Sequence, residues 1–334
     1  MFHFSPRNAL LPSAALAILL GLTACGGGSS DPAPADTPIN ASGAAAGAAA
    51  GTVTTTTPPA TTPPTTPPPI NITGLTDFRF LANNLVNFAA ATPNTAVNVP
   101  ITGLAPGQTV VGIDVRPATG QMYAFARADN AGAPTGPATI YRLDPTNGAA
   151  TAPVAVTGVT FDGATSVSVD FNPAVDRLRV ITFFGQSTAI DVTTGVATAS
   201  PAVVGSTTFT AAVAYSNSAV TATAPASTVL YRIDNQGTPD DLSTVVPTTG
   251  VATTVGAIGP DLTEVQAFDI GGTTNQNALA ALRTGVPNGG NATQHSLYRI
   301  NLSTGAATLF NSTAAASVIG GTTGAPLVDI AIRP

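Results

Sequence analysis

The chain has no lysine and no tryptophan, one cysteine (Cys25), one glutamate (Glu264) and two histidines, His3 and His295. Each shortage closes off some chemistry. Without lysine there is no P-loop lysine, no Schiff base and no serine–lysine pair. One cysteine cannot build an intrachain disulfide framework or a thiolate zinc cluster. Charge is scarce too: charged residues make up 8% of the 334, where an ordinary soluble domain carries about 25%. The 11 basic residues, all arginine, are outnumbered by 17 acids, for a net charge of −6. Such a chain repels a phosphate backbone, so no nucleic-acid partner is expected. No Gly-x-Ser-x-Gly elbow occurs, which removes one common route to a serine nucleophile. What is present in quantity is apolar or conformationally special: 44% hydrophobic residues, 33 Gly, 29 Pro and a mean hydropathy of +0.30.

Residues 1–24 read as a secretory signal. Arg7 supplies a short basic start, and Leu10 to Leu22 form an apolar stretch interrupted by Pro12 and Ser13. Its unbroken part is shorter than the ~20 residues that a membrane-spanning helix needs. The segment ends Leu22-Thr23-Ala24-Cys25, which resembles the bacterial lipobox, where cleavage precedes a cysteine that is then lipidated. The resemblance implies a membrane partner through a lipid anchor on Cys25, since two or more acyl chains hold stably where one does not. Gly26, rather than Asp, follows the cysteine; among Gram-negative lipoproteins this implies the outer membrane of the cell envelope, on its periplasmic or its surface face. Residues 25–75 then form the expected tether: no aromatic residue, an Ala/Gly-rich part and a Thr/Pro-rich part at 54–69. This composition buries too little surface to offset chain entropy, so disorder is expected. In a polyproline-like form the Thr/Pro part would reach on the order of 50 Å.

From 76 to 334 the sequence repeats itself. One unit, apolar-apolar-Asp-apolar, occurs around Asp114, Asp170, Asp269 and Asp329, with a copy at Ala212-Val213-Ala214-Tyr215 that lacks the acid. A second unit is Tyr141-Arg142, Tyr231-Arg232 and Tyr298-Arg299 in matching apolar contexts. A third is a glycine turn entering a strand, at Gly148, Gly195, Gly250 and Gly305. Four short strands in each ~40–50 residues define the blade of an all-β propeller. Five four-stranded antiparallel blades are expected, or six if a long loop conceals strands. The final strand near 327–334 should complete an N-terminal blade built from Phe78–Leu81, Leu85–Phe88 and Val97–Thr102, which closes the ring and removes exposed edges.

The run Gly112-Ile113-Asp114-Val115-Arg116-Pro117-Ala118-Thr119-Gly120-Gln121-Met122-Tyr123 resembles the bacterial "domain of unknown function 4394" family. So do the run from Val169 to Val180 and Leu230-Tyr231-Arg232-Ile233-Asp234. The resemblance covers 76–334. It implies a propeller-like fold and brings no activity with it.

Two constellations are candidates for chemistry. Asp114, Asp170, Asp269 and Asp329 lie on strands expected to line the central channel. They either converge on a cation such as Ca²⁺ or accept local hydrogen bonds from backbone or arginine, the preferred reading. Arg142, Arg232 and Arg299 are the arginines considered as partners. The segment Asp170, Asn172, Asp176, Arg177, Arg179 offers Asx oxygens for Ca²⁺ and two guanidinium groups for an oxyanion. Its simpler reading is a strand-turn-strand hairpin. His295, in a polar Gly/Asn stretch, is expected on a surface loop, and Asp240-Asp241 in a solvated turn. No catalytic residue stands out. The expected function is a lipid-anchored binding or interaction module, monomeric, taking a protein, glycan or small-molecule ligand. The alternative is an envelope hydrolase or lyase using channel Asp and Arg with a divalent metal.

Overall fold

A computed structural model describes residues 68–334, apart from 80, 82, 206–208, 237–238, 264–266, 273, 285–293, 322–323 and 325. The expected signal peptide, Cys25, Glu264 and most of the tether lie outside the described residues.

Among the described residues, twenty strands make five sheets of four, every neighbouring pair antiparallel. The chain opens with β1 (Asn71–Thr76), β2 (Asn84–Ala89) and β3 (Val97–Pro100). Blade one follows as β4 (Gln108–Arg116), β5 (Gln121–Ala128), β6 (Ala138–Leu143) and β7 (Ala150–Ala155). Blade two is β8 (Val167–Asn172), β9 (Arg177–Thr182), β10 (Ser187–Ile190) and β11 (Ala197–Ser200). Blade three is β12 (Ala212–Tyr215), β13 (Leu230–Asp234), β14 (Asp241–Val245) and β15 (Ala252–Ala257). Blade four is β16 (Ala267–Gly271), β17 (Asn277–Leu282), β18 (Ser296–Ile300) and β19 (Ala307–Leu309). Last comes β20 (Leu327–Arg333), which pairs with β1 so that blade five reads β20-β1-β2-β3. The innermost strands β4, β8, β12, β16 and β20 each pack on the next around the axis, and β20 returns to β4. The chain is a five-bladed β-propeller whose C-terminal strand closes its N-terminal blade, as the repeats imply.

One strand of blade five differs from expectation. Its first strand from the N-terminal side is Asn71–Thr76, not Phe78–Leu81, so the folded region begins inside the stretch assigned to the tether. Asp77 explains why 78–81 does not extend: its Oδ1 accepts from the Arg79 N–H at 3.0 Å and its carbonyl from the Leu81 N–H at 3.0 Å, which bends the chain into a turn. Gly74 hid β1 in the sequence, because glycine interrupts the apolar alternation. The site is close-packed: a Cβ would lie 2.9 Å from Leu327 Cδ1 of the adjacent closing strand, so that side chain would have to shift.

There is no single core. Apolar layers fill the gaps between blades: Leu75, Val115, Met122 and Leu143 between blades five and one; Phe125, Val169 and Phe171 between one and two; Val213, Tyr215 and Leu230 with Ile181 between two and three. Blades three and four share Ile233, Leu242, Phe268 and Leu282, and blades four and five share Ile72, Phe88, Leu297 and Ile330. A fully buried Phe or Leu of this kind contributes about 1.5–3 kcal/mol. The second-nearest strands to the axis, such as β5 and β17 with burial on both faces, therefore carry continuous apolar runs, Met122-Tyr123-Ala124-Phe125-Ala126 and Ala278-Leu279-Ala280-Ala281-Leu282.

The glycine turns tie each outer edge to the blade before it. Gly250 has φ +76°, a region where a side chain is strained, and a Cβ there would collide with the Ala202 carbonyl oxygen. Its own carbonyl accepts from Val204 N–H at 2.8 Å, and Ala252 N–H donates back to Val204 O at 2.7 Å. Gly148 with Thr102, and Gly195 with Thr157, repeat this parallel bridge between successive blades.

Candidate functional site

The four strand aspartates sit on β4, β8, β16 and β20 and are all buried, with 6%, 2%, 4% and 1% exposure for Asp114, Asp170, Asp269 and Asp329. Each reaches sideways to a backbone N–H of the next innermost strand. Asp329 Oδ2 accepts from Ile113 N–H at 2.9 Å, and Asp114 Oδ2 from Phe171 N–H at 2.6 Å. Asp170 Oδ1 accepts from Tyr215 N–H at 3.0 Å, and Asp269 Oδ2 from Ile332 N–H at 2.6 Å. Asp114 and Asp329 also accept from their own following N–H groups, of Val115 at 2.6 Å and Ile330 at 3.0 Å. Strands on the axis are sheet edges, so their outward N–H groups have no ladder partner. A carboxylate from the neighbouring blade supplies one. The repeated aspartate is an inter-blade latch, present at four of the five junctions.

Three of the latches converge. One carboxylate oxygen each from Asp114, Asp170 and Asp269 lies within 4.8 Å of the other two. Removal from water is the main effect on all four groups. Burial, then the Asp269 charge, holds Asp114 well above the ordinary aspartate range. Burial, then the charges of Asp114 and Asp269, does the same for Asp170. Burial raises Asp329 as well, against the pull of its two backbone donors, and lifts Asp269 to about 6 against donors Ile332 and Ile270. Three carboxylates this close cannot all stay ionised unless something positive joins them. Protons can do this. So can a hard cation, because oxygens up to 4.8 Å apart fit around one Ca²⁺ at its usual ~2.3–2.6 Å.

No arginine is paired with these aspartates among the described residues. The Tyr-Arg units diverge: Arg142 is exposed, Arg232 forms a wholly buried ion pair with Asp234, and Arg299 lies over the Phe310 ring at 4.1 Å. Arg179 stands opposite Asp170 in the β8–β9 ladder, yet its guanidinium donates to Ser187 Oγ, Ser200 Oγ and Tyr215 Oη at 3.1, 2.7 and 3.3 Å.

The segment 170–179 is a hairpin and not a cluster. Asn172 Oδ1 accepts from Ala174 N–H at 3.0 Å, and Asn172 O from Asp176 N–H at 2.9 Å, with Asp176 at φ +52°. Asp176 pairs with Arg116 of the preceding blade, and the exposed Arg177 pairs with Asp191 at 3.3 Å. Asp170 thus joins Asp114 and Asp269, while Asn172, Asp176, Arg177 and Arg179 go elsewhere.

Two further expectations are corrected. His295 is buried at 2% exposure; its Nδ1 accepts from Leu327 N–H at 3.2 Å and its carbonyl from Ile319 N–H at 2.9 Å, so it pins the start of the closing strand. Asp240 and Asp241 are buried rather than solvated. Asp240 Oδ2 accepts from Leu262 N–H at 2.6 Å, and Asp241 takes the hydroxyls of Ser243 and Thr254, both at 2.7 Å.

Sequence reasoning missed the Arg116–Asp176 link between blades one and two. The signal was available, since Arg116-Pro117-Ala118 and Asn172-Pro173-Ala174 begin equivalent turns in successive repeats. It also missed a cleft of about 650 Å³ where β20 ends beside blade one, lined by Val115, Met122, Leu143 and Arg333 among others.

Ring, latches and blade order define a repeat protein of the β-propeller class. Residues 84–330 match the family described as Domain of unknown function (DUF4394), and the chain belongs to that family. No curated protein matches the sequence. Similar solved structures include a chain of a nidogen/laminin complex, at 8% identity and TM-score 0.42, with 80% of this chain and 99% of that one aligned. Another is the major Malassezia sympodialis allergen Mala s 1, at 10% identity and TM-score 0.37, covering 67% and 71%. The aldose sugar dehydrogenase of Streptomyces coelicolor aligns at 12% identity and TM-score 0.39, over 80% and 90%. At these values no property of those proteins transfers.

Proposed function

We propose that the protein is a binding module of the bacterial cell envelope, a propeller held to the outer membrane through lipidated Cys25 and the tether that follows it. It acts as a monomer on a protein, glycan or small-molecule ligand. The observation that carries this reading is the use of the strand aspartates. They accept backbone hydrogen bonds that join blades; among the described residues no arginine pairs with them, and the Nδ1 of the buried His295 accepts from the Leu327 N–H. A hydrolase or lyase working in the channel would need a nucleophile or an acid–base pair open to substrate. Carboxylates at 1–6% exposure offer no such access. The trio Asp114, Asp170 and Asp269 is the place for a Ca²⁺, as a structural counter-ion rather than a reaction centre.

The test is fractionation of the full-length chain expressed in a Gram-negative host. Wild type should sediment with outer membranes and resist salt extraction, and Cys25→Ala should appear in the soluble fraction. A Cys25→Ala protein that still sediments with membranes sinks the anchor. Metal-dependent turnover of ester, phosphate or glycoside substrates that is abolished by Asp170→Asn would replace the binding reading with the enzymatic one.

A further inference from the structure

Arg333 lies at the end of β20 and shares its side of the strand with Asp329 and Ala331, facing blade one. It enters the cleft of about 650 Å³ between blades five and one. Its guanidinium has no hydrogen-bond or ion-pair partner among the described residues, and Nε is buried with nothing to donate to. The Nε atoms of Arg232 and Arg283 are buried without an acceptor too, but those guanidinium groups are not left wholly without interactions, and other buried arginines are held on several sides: Arg127 donates to the carbonyls of Gly136, Ala164, Thr135 and Asp162, Arg179 to two serines and a tyrosine, and Arg232 to Asp234. An unsatisfied buried donor is destabilising, and more so when it is charged. Burial also pulls the Arg333 pKa below its ordinary value, a penalty that an anion beside it would reverse.

The rest of the wall suits a small organic anion. Val115, Met122 and Leu143 form an apolar floor, and the exposed Arg142 adds a second positive charge to the lining. Asp144 is the acid in this wall. Its Oδ1 is taken by the backbone N–H and hydroxyl of Thr146, at 2.8 and 2.6 Å, which hold its charge at the turn. Guanidinium matches carboxylate and phosphate in planar, two-point fashion.

We infer that this cleft is a ligand site for a small molecule carrying a carboxylate or phosphate, with Arg333 binding the oxyanion and Val115, Met122 and Leu143 receiving an apolar body. The inference rests on the reading of the domain as a binding module and names its ligand class.

The experiment is calorimetric titration of the mature chain with benzoate and with phenyl phosphate, using benzyl alcohol as the uncharged control and inorganic phosphate as the bodiless one. Saturable binding of either aromatic anion is expected, at least tenfold tighter than both controls. The preferred anion identifies the headgroup. Arg333→Gln should lose that binding by tenfold or more, and Arg333→Lys should keep part of it by retaining charge without the fork. Should Arg333→Gln fail to fold, Met122→Trp fills the same cleft from its floor and should block binding with Arg333 intact. Absence of saturable binding to both anions, or binding unchanged in Arg333→Gln or in a folded Met122→Trp, overturns the site. Membrane fractionation of Cys25→Ala reads the anchored module separately, so loss of one conclusion is distinguishable from loss of the other.

Discussion

Asn217 and Asn275 bond to each other across the one inner junction that lacks an aspartate. Asn275 Oδ1 accepts from the Asn217 N–H at 2.5 Å, and Asn275 Nδ2 donates to Asn217 Oδ1 at 3.1 Å. Both residues have positive φ, +61° and +58°, which asparagine tolerates better than other side chains do. They sit in turns after β12 and β16. Ala214 occupies the latch position on β12 and has no oxygen to offer blade four, so two amides at the rim replace one carboxylate at the axis.

Asn275→Gly should therefore destabilise the domain. Glycine keeps the positive φ at no steric cost, so the change isolates two hydrogen bonds at ~0.5–1.5 kcal/mol each. A loss of about 1–2 kcal/mol in urea unfolding is expected. A loss under ~0.3 kcal/mol would mean that the amide pair does not hold the junction.

Asp114 tests the latch from the other direction. Asp114→Ala leaves the N–H groups of Phe171 and Val115 without their acceptor in a buried site, which should cost on the order of 2–5 kcal/mol. Asp114→Asn removes the ionisable group and keeps one acceptor oxygen, enough for one of the two N–H groups, while its NH2 cannot accept from the other. At pH 8 it should be milder than the alanine variant, with a stability between that of alanine and wild type the expected result. Equal destabilisation by Asn and Ala would show that negative charge, and not the acceptor, is what this position supplies.

The pH profile follows from the same burial. A group whose folded pKa is raised contributes stability that is fully present below its ordinary value, and that contribution is lost as pH rises through the folded value. For Asp269 that window runs from the usual 3.8 to about 6, and the rise is worth on the order of 3 kcal/mol. Asp114, Asp170 and Asp329 are shifted in the same direction. In chelator, Tm should therefore fall from pH 5 to pH 8, on the order of 5–10 °C for a domain of this size. Asp269→Asn should flatten the curve. A Tm that rises over this range would contradict the burial of the carboxyl cluster. Recovery of the lost Tm by excess Ca²⁺ at pH 8 identifies the counter-ion as calcium; a Tm indifferent to Ca²⁺ leaves protons in that role.

The sequence made one half of each contact legible and concealed the other. Asp114, Asp170, Asp269 and Asp329 recur in one local pattern, so their common role could be read. Their partners are the backbone N–H groups of Phe171, Tyr215, Ile332 and Ile113, and a backbone donor has no letter of its own. The glycine turns were visible because a positive φ selects glycine. The surface they press against, such as the carbonyl of Ala202, was not. Tyr-Arg read as one repeated unit and holds three different arginines, because Arg232 meets Asp234, Arg299 meets the Phe310 ring, and Arg142 is exposed. His295 and Asp240-Asp241 show the limit of judging burial from neighbours. Polar flanking residues suggested loops open to water, whereas each of these side chains fills a place where backbone N–H groups or hydroxyls needed an acceptor. Arg333 was not singled out, since an unpaired cation in a cleft is a property of two blades meeting.

Two glycines with nearly equal φ separate strain from collision. Gly107, at φ +72°, has nothing within 4 Å of where a Cβ would stand, whereas a Cβ on Gly250, at φ +76°, would run into the Ala202 carbonyl. Gly107→Ala should therefore cost only the left-handed penalty, about 1–2 kcal/mol. Gly250→Ala carries the same penalty and also pushes the turn off blade two, breaking the paired bonds between Val204 and the Gly250–Ala252 segment. A loss at least about 2 kcal/mol greater than that of Gly107→Ala is expected, from two hydrogen bonds and displaced packing. Because the bridge joins outer edges rather than the axis, amide exchange should accelerate first in β11 and β15 while the inner strands β8 and β12 stay protected. Uniform loss of protection across both blades would show instead that the outer bridges and the aspartate latches open as one cooperative unit.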